Sequence, residues 1–184
     1  TGVLLALPFS ILLAENIGPS RILASILRSI FAFIRTIPSL IWAALLVSIF
    51  SVGKFSGILA LAIIAFLMSL KLFREYIESI EENQLNSIRT VGGSSLQVLR
   101  YAVLPQLLEL TISVFFTVLE TNVRSATILG LVGAGGIGQI MWRDLNHLRY
   151  GNPSSLILVL FLTIFVIDIL SLQVRNIRKK AGIK

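Results

Sequence analysis

The chain has 184 residues, 55% hydrophobic and only 14% charged, with a mean hydropathy of +0.90. So much apolar surface excludes an ordinary soluble domain and predicts a single membrane domain over residues 1–184. The net charge of +7 lies between and after apolar runs, without a basic stripe interleaved with aromatics, so it predicts anionic lipid headgroups as counter-charge and excludes nucleic acid.

A bilayer core of about 30 Å takes roughly 20 helical residues, and five segments are candidates. The first, Gly2–Ala14, contains Pro8, which a membrane helix tolerates. No basic stretch precedes it, so it does not read as a signal peptide. Thr1 opens inside this run without a Met, and the chain is expected to lack its N-terminus. The second runs from Ile22 to Phe50, with Arg28 and Arg35 and a kink at Pro38. The third is Phe55–Leu70. The fourth, Gln106–Leu119, is short and is expected to continue through Glu120–Arg124. The fifth is Ser155–Leu172. The expected fold is an all-α integral membrane protein with about five transmembrane helices.

Basic residues accumulate on the cytoplasmic side of membrane proteins. With 71–105 inside, Arg21, Arg28, Arg35, Lys71, Arg74, Arg89 and Arg100 fall inside. So do Arg175, Arg178, Lys179, Lys180 and Lys184, which follow Asp168 with no further acid. Only Lys54, Arg124, Arg143 and Arg149 stay outside. A cytoplasmic C-terminus follows. Leu72–Glu82 reads as a charged helix continuing out of the third span, with Arg74–Glu78 attractive and Glu78–Glu82 repulsive at four-residue spacing. Gln84–Arg100 reads as two short helices broken at Gly92-Gly93, with Ser94 or Ser95 capping Leu96–Tyr101. Such a segment suits a groove on a soluble partner, and it also suits a plain loop with ordinary caps.

Glu120, Asn122, Arg124 and Thr127 form the sharpest candidate site. At 1.5 Å per residue from Pro105, Glu120 lies about 22 Å and Arg124 about 29 Å along the helix, in the outer part of the membrane. Glu120 and Arg124 are four apart and suit a simple ion pair. They also suit a pathway lining, since ionisable groups at membrane depth commonly mark one. Gly133, Gly135 and Gly138 spell G-x-G-x-x-G, but an apolar span precedes them and no acid follows around 153–158, so a dinucleotide site is excluded. With Gly136 they predict close packing or a flexible element near a gate. There is no P-loop motif, no paired carboxylate, no metal cluster and no activated nucleophile. His147 is expected to be solvated. No cysteine is present, which removes thiol and disulfide chemistry. Neither a catalytic nor a metal site is expected.

Asn86–Pro105, NSIRTVGGSSLQVLRYAVLP, resembles the coupling loop of ABC-transporter permeases: E-A-A, three residues, Gly, nine residues, I-x-L-P. Gly92, Leu104 and Pro105 are in register, while Asn86, Ser87, Ile88 and Ala102 depart from the pattern. Arg35–Trp42, Lys71–Glu75, Leu104–Gln106, Glu120–Thr127 and Gly133–Gly138 are similar, in order, to phosphonate ABC-transporter permeases. The glycine run is also shared with methionine-importer permeases.

The resemblance implies a type I importer permease for phosphonates, in the bacterial cytoplasmic membrane. Its coupling segment would be 71–105, with Asn86, Ser87, Gly92, Gly93, Ser94, Leu104 and Pro105 at the ATPase contact. It also implies a second permease copy, an ATPase dimer that carries the ATP and Mg, and an extracytoplasmic solute-binding protein meeting 130–152. This chain itself would hold no cofactor. Phosphite or methionine import, and a channel or scaffold without an ATPase, are the other readings.

Overall fold

The computed structural model describes residues 2–15, 21–147 and 151–180. Among them the regular structure is helical. The helices are α1 (Gly2–Leu13), α2 (Arg21–Thr36), α3 (Ser39–Phe50), α4 (Lys54–Glu78), α5 (Glu82–Thr90), α6 (Ser95–Val98), α7 (Leu104–Leu131), α8 (Ile137–Asn146) and α9 (Gly151–Lys180). A π-helical turn over Leu99–Val103 joins α6 to α7. The five apolar segments all fall on these helices. Three are long and apolar enough to cross a membrane: Lys54–Glu78, Ser95–Leu131 and Pro153–Gln173. α2 and α3 make a fourth span only as a broken pair, and α1 is short.

The expected kink at Pro38 is a break. Proline lacks an N–H and pushes the residue before it away from helical geometry. α2 therefore ends at Thr36, Pro38 is extended with ψ 146°, and α3 restarts at Ser39. The third span runs on beyond Leu70, as expected, but stops at Glu78. Glu78 and Glu82 thus lie on different helices and do not stack at four-residue spacing. Buried Ile80 anchors the turn between them.

The chain forms two compact units, 1–36 with 66–115 and 37–65 with 116–184. In the first, α1 turns Val3, Ala6, Ser10 and Leu13 inward and leaves Leu4, Leu5, Phe9 and Leu12 exposed. That split is one face of a 3.6-residue helix. Phe66 packs edge-on against Phe9 and Phe31, at 5.6 and 6.0 Å between centroids. Phe73, Ile77, Leu85, Val98, Val103 and Leu107 are fully buried in this unit and tie the 71–105 segment to its base.

In the second unit the core is built from small residues, with Ala43, Ala60 and Ala134 beside Leu46 and Leu129. Small side chains let backbones approach where lipid supplies no hydrophobic drive between helices. The Pro153–Gln173 part of α9 is apolar nearly all round, with Leu158, Phe161, Leu162 and Phe165 exposed, as suits a span facing lipid or another protein. Side chains of 174–180, and residues 148–150 and 181–184, lie outside the described residues. So do the side chain of Arg175, and Arg149 and Lys184.

Leu85→Ala removes a fully buried side chain and is expected to cost about 2–5 kcal/mol. It should lower the thermal midpoint of the purified full-length protein, while Leu12→Ala, on the exposed face, leaves it nearly unchanged.

Candidate functional site

α5 ends in a turn that only glycine accommodates well. Gly92 has φ +86°. Its N–H donates to the Arg89 carbonyl at 3.0 Å, and the Gly93 N–H donates to the Ile88 carbonyl at 2.9 Å. These paired bonds form a Schellman cap, which closes the orphan carbonyls of a helix end. A Cβ on Gly93 would stand 2.6 Å from the Ile88 carbonyl oxygen. The next helix starts at once. Ser94 is its N-cap, and the Ser94 N–H donates to the Gln97 side-chain oxygen at 2.7 Å, half of a capping box.

The turn rides on a buried base. Leu85 and Val98 are buried, and the Gln106 side-chain amide donates to Gln84 Oε1 at 3.1 Å. Outward, the turn shows Asn86, Ser87 and Ser94, with Val91 83% and Leu96 75% exposed. Asn86 Oδ1 lies 3.5 Å from Arg89 Nη1. Ser87 returns its hydroxyl to the Asn83 carbonyl at 2.7 Å. The surface is a polar turn with two apolar knobs, held rigidly from beneath.

α6 does not end at Tyr101, and α7 does not begin afresh after Pro105. The Leu104 N–H donates to the Leu99 carbonyl, five residues back. Pro105 has no N–H to give, and its ring would crowd the carbonyl four residues back. The widened turn before it keeps the helical path. Leu104 and Pro105 are exposed at this junction.

On α7, Glu120 and Arg124 form an ion pair at four-residue spacing, with side chains 22% and 60% exposed. Asn122, between them, has a buried Oδ1 with no hydrogen-bond partner among the described residues. Buried polar atoms are seldom left so. Thr127 returns its hydroxyl to the Val123 carbonyl at 3.3 Å. The simple ion pair is therefore present, and Asn122 is the member of the group whose bonding among the described residues is incomplete.

The glycine run packs as well as turns. Gly133, Gly135 and Gly136 take φ of +84°, +80° and +78°. Gly53 N–H donates to the Gly133 carbonyl at 3.1 Å. A Cβ on Gly138 would fall inside the Thr127 carbonyl oxygen, and one on Gly57 inside the Ala134 carbonyl oxygen. Gly130 meets Gly138 in the same way. Gly57 and Gly130, which the motif does not include, are thus part of the same contact. α8 follows, burying Asp144 beside Arg143 at 3.6 Å and exposing Ile137, Ile140 and Trp142. His147 is exposed at its end.

Residues 6–181 match the family of the binding-protein-dependent transport system inner membrane component. The chain belongs to that family. It is 32% identical over 175 residues to the phosphate-import permease protein PhnE of Mycolicibacterium smegmatis. It is 32% identical over 168 residues to the putative phosphite transport system permease protein HtxE of Stutzerimonas stutzeri. These alignments cover 95% and 91% of this chain but only 33% and 64% of the relatives. The putative cryptic phosphonate transport system permease protein PhnE2 of Escherichia coli is 38% identical over 106 residues, 58% of this chain and 87% of that protein. An inward-facing structure of the MetNI methionine ABC transporter superposes with a TM-score of 0.81 at 23% identity, over 95% of this chain and 87% of that one. That likeness shows the type I importer permease fold.

A Cβ on Gly136 would meet open space at a positive φ, whereas one on Gly138 would have no room. Gly136→Ala is expected to cost about 1–3 kcal/mol. Gly138→Ala should cost more, read as a larger drop in the thermal midpoint of the full-length protein.

Proposed function

We propose that this chain is the permease part of an ATP-driven importer for phosphonates. The observation that carries the reading is the exposed Schellman turn at Gly92-Gly93, seated on Leu85, Val98 and the Gln84–Gln106 bond. It is a shaped, supported knob of the kind a soluble partner grips. In this reading Asn86, Ser87, Gly92, Gly93 and Ser94 meet the ATPase, and the Leu104-Pro105 junction takes up the movement. The partner ATPase dimer holds ATP and Mg, and this chain binds neither. The 71–105 segment and the C-terminus face the cytoplasm. Asn86 beside Arg89 stands where the coupling loops it resembles carry an acid, so docking at that point is by hydrogen bond.

Two copies pair about a two-fold axis, and ATP-driven closure of the ATPases moves the coupling segments to switch access. A solute-binding protein meets the 130–147 surface, where Ile137, Ile140 and Trp142 are exposed. Arg124 supplies positive charge to the phosphonate, and Glu120 keeps the anion from being trapped. Phosphite is the second reading, since HtxE carries that substrate in its name.

The deciding experiment is uptake into proteoliposomes by the full-length permease with its ATPase and binding protein, comparing labelled alkylphosphonate, phosphite and methionine. ATP-dependent alkylphosphonate uptake is expected. Phosphite or methionine uptake alone overturns the substrate, and no co-purifying ATPase favours a channel or scaffold. Gly92→Val, which places a β-branched residue at φ +86°, is expected to abolish ATP-driven uptake. Arg124→Gln should raise the KM for phosphonate on the order of tenfold, as loss of one charged hydrogen bond does, with the ATPase rate in detergent unchanged.

A further inference from the structure

α2 carries arginine at 28 and 35, seven apart and therefore on one stripe of the helix. The opposite stripe, with Ile22, Ile26, Ile30 and Phe33, is exposed. Arg28 and Arg35, with Lys71 and Arg74 of α4, line a cavity of about 90 Å³ in the first unit. Phe31, Leu67 and Leu70 add an apolar floor.

Four cations and no carboxylate line this cavity. Three of the four have acids nearby: Arg28 pairs with Glu15 and, at 3.8 Å, with Glu78. Lys71 meets Glu75 at 3.3 Å, and Arg74 meets Glu78 at 3.9 Å. Glu78 is shared between Arg28 and Arg74, so three carboxylates serve three of the four cations and none reaches the fourth among the described residues. Arg35 has no acid partner among the described residues. The cavity holds several water-sized groups, keeps an uncommitted guanidinium and has an oily floor.

We propose that this cavity binds an anionic phospholipid, with the phosphate between Arg35 and Lys71 and the first chain carbons on Phe31, Leu67 and Leu70. The choice of lipid over free phosphate follows from that floor. A hydrated inorganic anion gains nothing from apolar walls, whereas a phosphodiester joined to acyl chains matches both parts of the lining. Guanidinium groups favour phosphate through paired N–H donors. Basic pockets between membrane helices suit such headgroups. The inference does not depend on the transported solute.

Native mass spectrometry of the full-length transporter tests it, after exchange into phosphatidylglycerol or phosphatidylcholine. Wild type is expected to keep phosphatidylglycerol on the order of tenfold better than phosphatidylcholine. R35Q/K71Q should lose that preference, and R35K should keep it. Millimolar inorganic phosphate should not displace the lipid. Equal retention of the two lipids by wild type overturns the proposal, as does an unchanged preference in R35Q/K71Q. Displacement by phosphate with the same dependence on Arg35 also overturns it, by assigning a soluble-anion site. If the double variant does not assemble, wild-type selectivity and the single variant R35Q decide in the same terms.

Discussion

In hydrocarbon a backbone N–H or C=O finds no water, so every interruption of a helix must bring its own partners. The breaks in this chain obey that constraint in different ways. After α3 the chain passes through Ser51, at φ +71°, and Gly53 then donates to the Gly133 carbonyl. In the 71–105 segment, which lies outside the hydrocarbon in the proposed topology, the Schellman bonds to Arg89 and Ile88 close the end of α5 in the same way. Before Pro105 the ladder widens instead of breaking. The proposed coupling turn and the Leu104-Pro105 junction are places where the chain leaves the α-helix and still satisfies itself.

Much of this was legible in the residues. Five apolar runs became helices because their length and composition leave few alternatives in a membrane, and Gly92-Gly93 became a turn because α5 needed a left-handed residue to stop. What stayed hidden depended on distant backbone. Gly57 sits in a run that reads as ordinary span, and only the Ala134 carbonyl shows why a side chain is refused there. Gly130 is concealed in the same way by Gly138. The end of α4 at Glu78 has no glycine or proline to announce it and rests on the burial of Ile80. The wide turn at Leu99–Val103 had a local signal in Pro105. Its answer could have been a kink or a break, as at Pro38, and the burial of Ala102 and Val103 favours a continued helix.

The two units use different adhesives. The base under the 71–105 segment is made of large residues, Phe73, Ile77, Leu85 and Leu107, whose burial from water is favourable in itself. The second unit joins helices through alanine and glycine, where close contact and not dehydration supplies the energy. Composition alone does not separate these cases, because both read as apolar.

The pairing of Arg28 has a consequence for how the chain is made. An arginine at the centre of a membrane helix costs roughly 2.5–3.5 kcal/mol to insert alone. Glu15 is synthesised 13 residues before Arg28, so one neutralising acid is already in place when α2 leaves the ribosome. Glu78 follows fifty residues later. The nascent α2 thus has its first counter-charge beside it at once and its second only when α4 is complete, an order in which α1 and α2 can pair before the end of α4 joins them.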